Sequence, residues 1–183
     1  MHARWVFLPV IGAPIAHGPV LQFDLLRALN RPLDGGRTFR GRPLFGANKS
    51  WRGALAMSGG VFACAIALHR SEAYRARLPA ELSTLDPAIF GGALALGTVI
   101  GELPNSFLKR QIGIAPGTQR GSLAGVAISV FDQGDFVLAV LLLLRPFWRV
   151  SAAQALDAFA VVIAAHAVVN VIGYAIGARK TLL

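Results

Sequence analysis

Five apolar stretches, each near the length that crosses a lipid bilayer, leave this chain little choice of fold. A spanning α-helix needs about 20 mainly apolar residues in a row. Such stretches cover Trp5–Leu26, Gly53–His69, Ala88–Leu103, Leu123–Phe147 and Leu156–Ile176. Pro9, Pro14, Pro19 and His17 break up the first, polar residues interrupt the fourth, and the last is the cleanest. The chain is 55% hydrophobic and only 15% charged, with mean hydropathy +0.57. A soluble domain carries about a quarter charged residues, so water is a poor solvent for this chain. The expectation is an all-α polytopic membrane protein of about five transmembrane helices, forming one integral membrane domain over residues 1–183. A cytosolic basic loop and a short amphipathic, helix-like segment at Ser106–Gln111 accompany it. The first stretch lacks the basic start and simple apolar run of a cleavable signal peptide and reads as retained.

Basic residues are unevenly spread between the links. With five spans, Arg27–Arg52, Pro104–Ser122 and the tail fall on one side. They carry Arg27, Arg31, Arg37, Arg40, Arg42, Lys49, Arg52, Lys109, Arg110, Arg120, Arg179 and Lys180, twelve in all. The other side has six: Arg4, Arg70, Arg75, Arg77, Arg145 and Arg149. Lys and Arg accumulate in cytoplasmic loops, which puts both basic loops and the C-terminus in the cytosol and the N-terminus outside the cell membrane. The net charge of +9 therefore reflects loops flanking helices. It does not point to nucleic acid, because no soluble basic domain is present. The single cysteine, Cys64, excludes an internal disulfide or a cysteine-based zinc site and reads as a small packing residue.

Ionisable residues inside spans are costly and usually functional. Three carboxylates qualify. Glu102 closes the third span in Gly101-Glu102-Leu103-Pro104-Asn105-Ser106, and Asp132 and Asp135 sit in Phe131-Asp132-Gln133-Gly134-Asp135-Phe136. At i and i+3 the two aspartates would share a helix face. Close carboxylates in an apolar setting share a proton or bind a cation. Mg²⁺ suits the second case, since it takes oxygen ligands from one or two carboxylates together with substrate phosphates. A proton-sharing pair, or helix-end residues reaching water, is the other reading. Lys109 and Arg110 follow Ser106 within about a turn of helix and offer cations to a phosphate chain. Phe45-Gly46-Ala47-Asn48-Lys49-Ser50-Trp51-Arg52-Gly53 adds a glycine for close backbone approach, a point charge and a bidentate fork. It also opens the second span, whose amides can face an anion. Its glycine spacing is not that of a P-loop, and a basic loop touching anionic lipid heads is an equal reading. Pro32-Leu33-Asp34-Gly35-Gly36 reads as a turn whose Asp34 orients an arginine or binds nucleotide. His166 and Asn170 share a face of the last span, most simply for interhelical hydrogen bonding.

Taken in order, these stretches resemble the CDP-archaeol synthases, relatives of the bacterial CDP-diacylglycerol synthases (phosphatidate cytidylyltransferases). The resemblance runs from Pro9 to the tail. It rests on the Pro-rich first span, Pro32-Leu33-Asp34-Gly35-Gly36, Gly41–Gly53, Gly101-Glu102 with Ser106–Arg110, Asp132-Gln133-Gly134-Asp135-Phe136, and His166…Asn170…Tyr174…Gly177…Lys180. Where the family usually has Gly-Asp this chain has Gly101-Glu102; Ser50 stands where Thr is common, and Gly134 where an apolar residue is usual.

The resemblance implies a small bundle of about five membrane helices with a cytosolic active site. It implies cytidylyl transfer from CTP to a membrane lipid phosphate, with pyrophosphate leaving. Asp132 and Asp135 would be catalytic metal ligands for Mg²⁺, two ions among the options, with Glu102 as a third ligand. Lys109 and Arg110 would be catalytic cations. Asp34, Asn48, Lys49, Ser50, Arg52, Gly53 and Ser106 would bind CTP or the lipid phosphate. The expected partners are CTP, the lipid phosphate and the bilayer, with no nucleic acid; a homo-oligomer is left open. The alternatives are a non-enzymatic carrier or binder of phosphorylated or anionic lipid, and a cation or proton transporter.

Overall fold

The computed structural model describes residues 3–115 and 134–175. The chain starts as a 3-10 helix over Ala3–Ile11 and continues as α1 (Gly12–Gln22). Then follow a hairpin of β1 (Thr38–Phe39) and β2 (Arg42–Pro43), α2 (Trp51–His69), and the short α3 (Glu72–Arg75) and α4 (Ala80–Ser83). α5 (Pro87–Gln111), α6 (Asp135–Leu144) and α7 (Ala152–Ala175) complete it. Among the described residues, Ala3–Gln22, Trp51–His69, Pro87–Gln111 and Ala152–Val169 are long and apolar enough to cross a membrane; α6 is shorter. Residues 123–133 of the expected fourth span lie outside the described residues.

Leu8, Ile15, Phe62, Ile89, Leu96, Leu142, Leu156 and Val168 are exposed on these helices. Such a belt of bare apolar side chains is what hydrocarbon, not water, would cover. Beneath it lies a core built around Val6, Val61, Phe90, Leu94, Val137, Val140 and Leu144. Lipid tails are as apolar as these side chains, so tight packing must hold the helices together. Glycines supply it. Gly12 and Gly60 bring the backbones of α1 and α2 together beside Cys64. Gly97 and Gly101, one turn apart on α5, receive Val140 and Phe136 of α6. A Cβ at Gly97 would stand 2.5 Å from Val140 Cγ2, so the two helices can approach this closely only because that side chain is missing.

Helix ends follow local chemistry. Ser50 caps α2, its Oγ accepting from the Gly53 amide at 3.2 Å. Asp86 caps α5 by accepting from Ala88 and Ile89, with Pro87 at the first helical position. In the first span Pro9 lies in the 3-10 segment, Pro14 near the start of α1 and Pro19 inside it.

One expectation needs correction. The third helix does not stop at Leu103 but runs through Pro104 to Gln111. One missing proline amide removes a single bond near the end of a 25-residue helix, which the rest of the ladder tolerates. The link between α2 and α5 forms α3 and α4, and its Tyr74, Leu78 and Leu82 join the core. Tyr74 Oη donates to the Trp5 carbonyl at 2.8 Å, and burial pushes its phenol well above the ordinary range.

Candidate functional site

Because α5 continues past Pro104, Glu102, Asn105, Ser106 and Lys109 fall at i, i+3, i+4 and i+7 on one helix face. Asn105 and Ser106 are buried, and Glu102 and Lys109 are half-buried. The Asn105 Nδ2 donates to Asp135 Oδ2 at 3.2 Å, tying this face to the first residue of α6. Gly101 permits that approach by lying against Phe136, the next residue along.

The loop before α2 brings the opposite charge. Lys49 Nζ forms an ion pair with Glu102 Oε2. Their side chains are 21% and 25% exposed, so neither is fully buried in the bundle. Arg52, the second residue of α2, donates to Asp24 Oδ1 at 2.6 Å, and Arg27 Nε lies 2.6 Å from Asp24 Oδ2. A Cβ on Gly53 would stand 3.4 Å from His17 Nε2, so α1 borders the same site.

The hairpin packs over the end of α5. Its turn, Arg40-Gly41, has φ +51° and +75°, the two-residue turn that suits strand twist and favours glycine at its second position. Phe39 and Phe107 rings are 5.8 Å apart. Arg42 donates to the Gln111 carbonyl and Gln111 Nε2 to the Pro43 carbonyl at 3.3 Å. Buried Arg110 donates from Nε to the Phe45 carbonyl at 3.1 Å and also to the Ile114 carbonyl. The basic loop and the last turns of α5 therefore share one end of the bundle.

Asp34 is only 9% exposed. Burial works against its charge, but the amides of Phe45, Gly36 and Gly46 outweigh that and hold its carboxyl below the usual value.

The sequence-predicted residues distribute as follows. Lys49, Glu102, Ser106, Lys109 and Asp135 gather around the α5 face. Ser50 and Gly53 form the α2 cap. Arg52 sits with Asp24, and Arg110 and Asp34 tie backbone segments together. Asn48 is exposed just before Lys49. Asp132 lies outside the described residues, as do Arg120, Arg179 and Lys180. His166 packs edge-on to Phe136 with ring centroids 5.9 Å apart. Sequence reasoning missed Asn105 and Asp24. Asn105 is three residues from Glu102 and becomes visible once a helix is allowed through Pro104; Asp24 gave no signal beyond being an acid near two arginines.

As a metal site this is an oxygen donor set. Glu102 on the α5 face and Asp135, bonded to Asn105 of that face, are hard ligands of the kind Mg²⁺ prefers. Among the described residues no three His, Cys, Asp or Glu side chains cluster, so the fit rests on the oxygen chemistry of these two carboxylates alone.

Fold and site together define a polytopic helical membrane protein with carboxylates and cations gathered at one end of the bundle. Residues 8–182 match the family profile of the CarS-like CDP-archaeol synthases, and the chain belongs to that family. A CDP-archaeol synthase of Halobacterium salinarum is 38% identical over 156 residues, covering 81% of each chain. One from Methanococcoides burtonii is 31% identical over 172 residues, 86% of this chain and 93% of its own. A solved structure, described as an intramembrane enzyme for archaeal membrane lipids biosynthesis, aligns with TM-score 0.65 and 26% identity over 92% of each chain.

Proposed function

We propose that this chain transfers the cytidylyl group of CTP to a membrane lipid phosphate, giving a CDP-lipid and pyrophosphate. An archaeol-type lipid is the substrate class that the relatives' names point to. The observation that carries the reading is the meeting of Lys49 with the Glu102–Asn105–Ser106–Lys109 face of α5, itself bonded to Asp135.

In this reaction an oxygen of the lipid phosphate attacks the α-phosphorus of CTP, and the bond to the bridging oxygen of pyrophosphate breaks. Catalysis of such transfers is mostly positioning and charge neutralisation. Lys49 and Lys109 offset the charge of the triphosphate and of the leaving pyrophosphate. Ser106 donates its hydroxyl to a phosphate oxygen. Arg52 takes a more distal phosphate oxygen beside Asp24. Asn105 holds the Asp135 carboxylate in its orientation. Glu102 and Asp135, with Asp132, would hold Mg²⁺, which supplies charge neutralisation on phosphate oxygens. The buried guanidinium of Arg110 fixes the loop that carries Lys49. The excess of basic residues at this end supports a cytosolic site, with the N-terminus outside.

The test is CTP labelled at the α-phosphate, supplied with Mg²⁺ and a panel of isoprenoid-ether and acyl lipid phosphates. The expected result is label in the organic phase. Lipid phosphate that binds while no label ever leaves the aqueous phase would make the protein a carrier and end the enzymatic reading.

A further inference from the structure

We infer that Asp34 is a positioning residue that sets Lys49 at the site, rather than a group that meets the nucleotide. Asp34 Oδ1 accepts from the Gly36 amide at 2.8 Å, closing its own turn. Its Oδ2 accepts from the amides of Phe45 at 2.9 Å and Gly46 at 3.4 Å, eleven and twelve residues further on. A carboxylate has about four lone-pair directions, and three are turned inward on backbone.

The bonds continue as a ring. The Gly46 carbonyl accepts from the Lys49 amide at 3.0 Å, and the Lys49 carbonyl accepts from the Leu33 amide at 2.8 Å. Leu33 precedes Asp34, so the circuit closes on itself. Pro32 pairs with Ser50 alongside it. Both backbone groups of Lys49 are thereby fixed, and its side chain leaves the ring toward Glu102. Gly46 has φ +96°, a conformation that side chains disfavour, which lets the chain turn from the Asp34 contact into Lys49. The Phe45 carbonyl receives Arg110 from α5, so the ring is anchored to the helix that carries Glu102. The carboxylate of Asp34 is thus the one side-chain link in a backbone circuit whose output is the position of a single ammonium group.

This inference rests on Lys49 serving the phosphate chain, and the test separates the two. Asp34→Asn replaces one acceptor oxygen by a donor facing amides. With the full-length protein, the KM for CTP is expected to rise about tenfold, the scale of one or two disrupted buried hydrogen bonds, while kcat stays within about threefold. Trypsin should then cut faster after Arg37 and Arg40. In a Lys49→Met background the same Asp34→Asn change should add less than about twofold, because its effect passes through the lysine. Gly46→Ala breaks the ring from the backbone side and should reproduce both the KM rise and the non-additivity, which keeps the test valid if Asp34→Asn does not fold. Multiplicative losses in the double variant, or an unchanged KM for CTP in Gly46→Ala, overturn the positioning role alone. Normal turnover and KM in Lys49→Met overturn the reading of Lys49, and the inference with it.

Discussion

Lys49 Nζ and Glu102 Oε2 form an ion pair that joins the loop ahead of α2 to the working face of α5. In the proposed reaction they would serve as a cation for phosphate and an oxygen ligand for metal, and in this structure each neutralises the other. Glutamate matters to this arrangement: its extra methylene relative to aspartate extends the carboxylate from the helix toward the loop.

Replacing Lys49 by methionine should separate activity from stability. A partly exposed pair contributes about 1 kcal/mol or less, so the melting temperature in detergent should barely move. Loss of a positioned cation that holds the triphosphate should lower kcat/KM for CTP about 10²-fold, chiefly through KM. A large drop in melting temperature with turnover preserved would reverse that assignment.

Asp135→Asn should abolish CDP-lipid formation while the yield of folded protein survives, because the amide still meets Asn105 and nearly matches the carboxylate in size. Asn105→Ala should behave differently. It withdraws a donor from a buried carboxylate, at about 1–3 kcal/mol, and should lower the melting temperature as well as the rate. Label-transfer assays and thermal unfolding of the two variants, run side by side, decide this; normal turnover by Asp135→Asn would remove that residue from the chemistry.

Gly97→Leu should push α6 away from α5 at about 1–3 kcal/mol, the usual cost of overpacking, and lower the folded yield on size exclusion. Gly92→Ala is the control. Nothing stands within 4 Å of a Cβ there, so it should be neutral or stabilise the helix by up to about 1 kcal/mol. Equal effects from both would mean that the α5–α6 contact is not the tight one.

The Asp34 carboxyl lies below its ordinary value when folded. Its contribution to loop stability is therefore present above the unfolded carboxylate range and is lost as pH falls through the depressed folded value. Hydrogen exchange at the Phe45 and Gly46 amides, corrected for intrinsic rate, should show protection at neutral pH that fades at the acid end. Protection that stays constant on acidification would show that the carboxylate does not hold those amides.

The spans were legible because bilayer thickness and side-chain hydropathy act locally, residue by residue. Glu102 and Asp135 were legible because a carboxylate amid apolar sequence is conspicuous. Pro104 misled: proline is a strong punctuation mark in isolation, yet tertiary contacts from Gly97, Gly101 and Arg110 hold the helix on both sides of it. Ending the helix there hid Asn105, whose meaning comes from its spacing to Glu102. Asp34 was recognised as a turn residue, but its reach to Phe45 and Gly46 depends on a fold-back that no local pattern encodes. Asp132 was read from sequence alone and lies outside the described residues.

The uninterrupted passage of α5 through Pro104 makes that helix a gauge. Glu102 and Lys109 are seven residues apart on it, a rise of about 10 Å at 1.5 Å per residue. Had the chain broken at the proline, a loop would set that interval and thermal motion would blur it. Backbone hydrogen bonds set it instead, so the carboxylate and the ammonium on this face are held at a fixed interval.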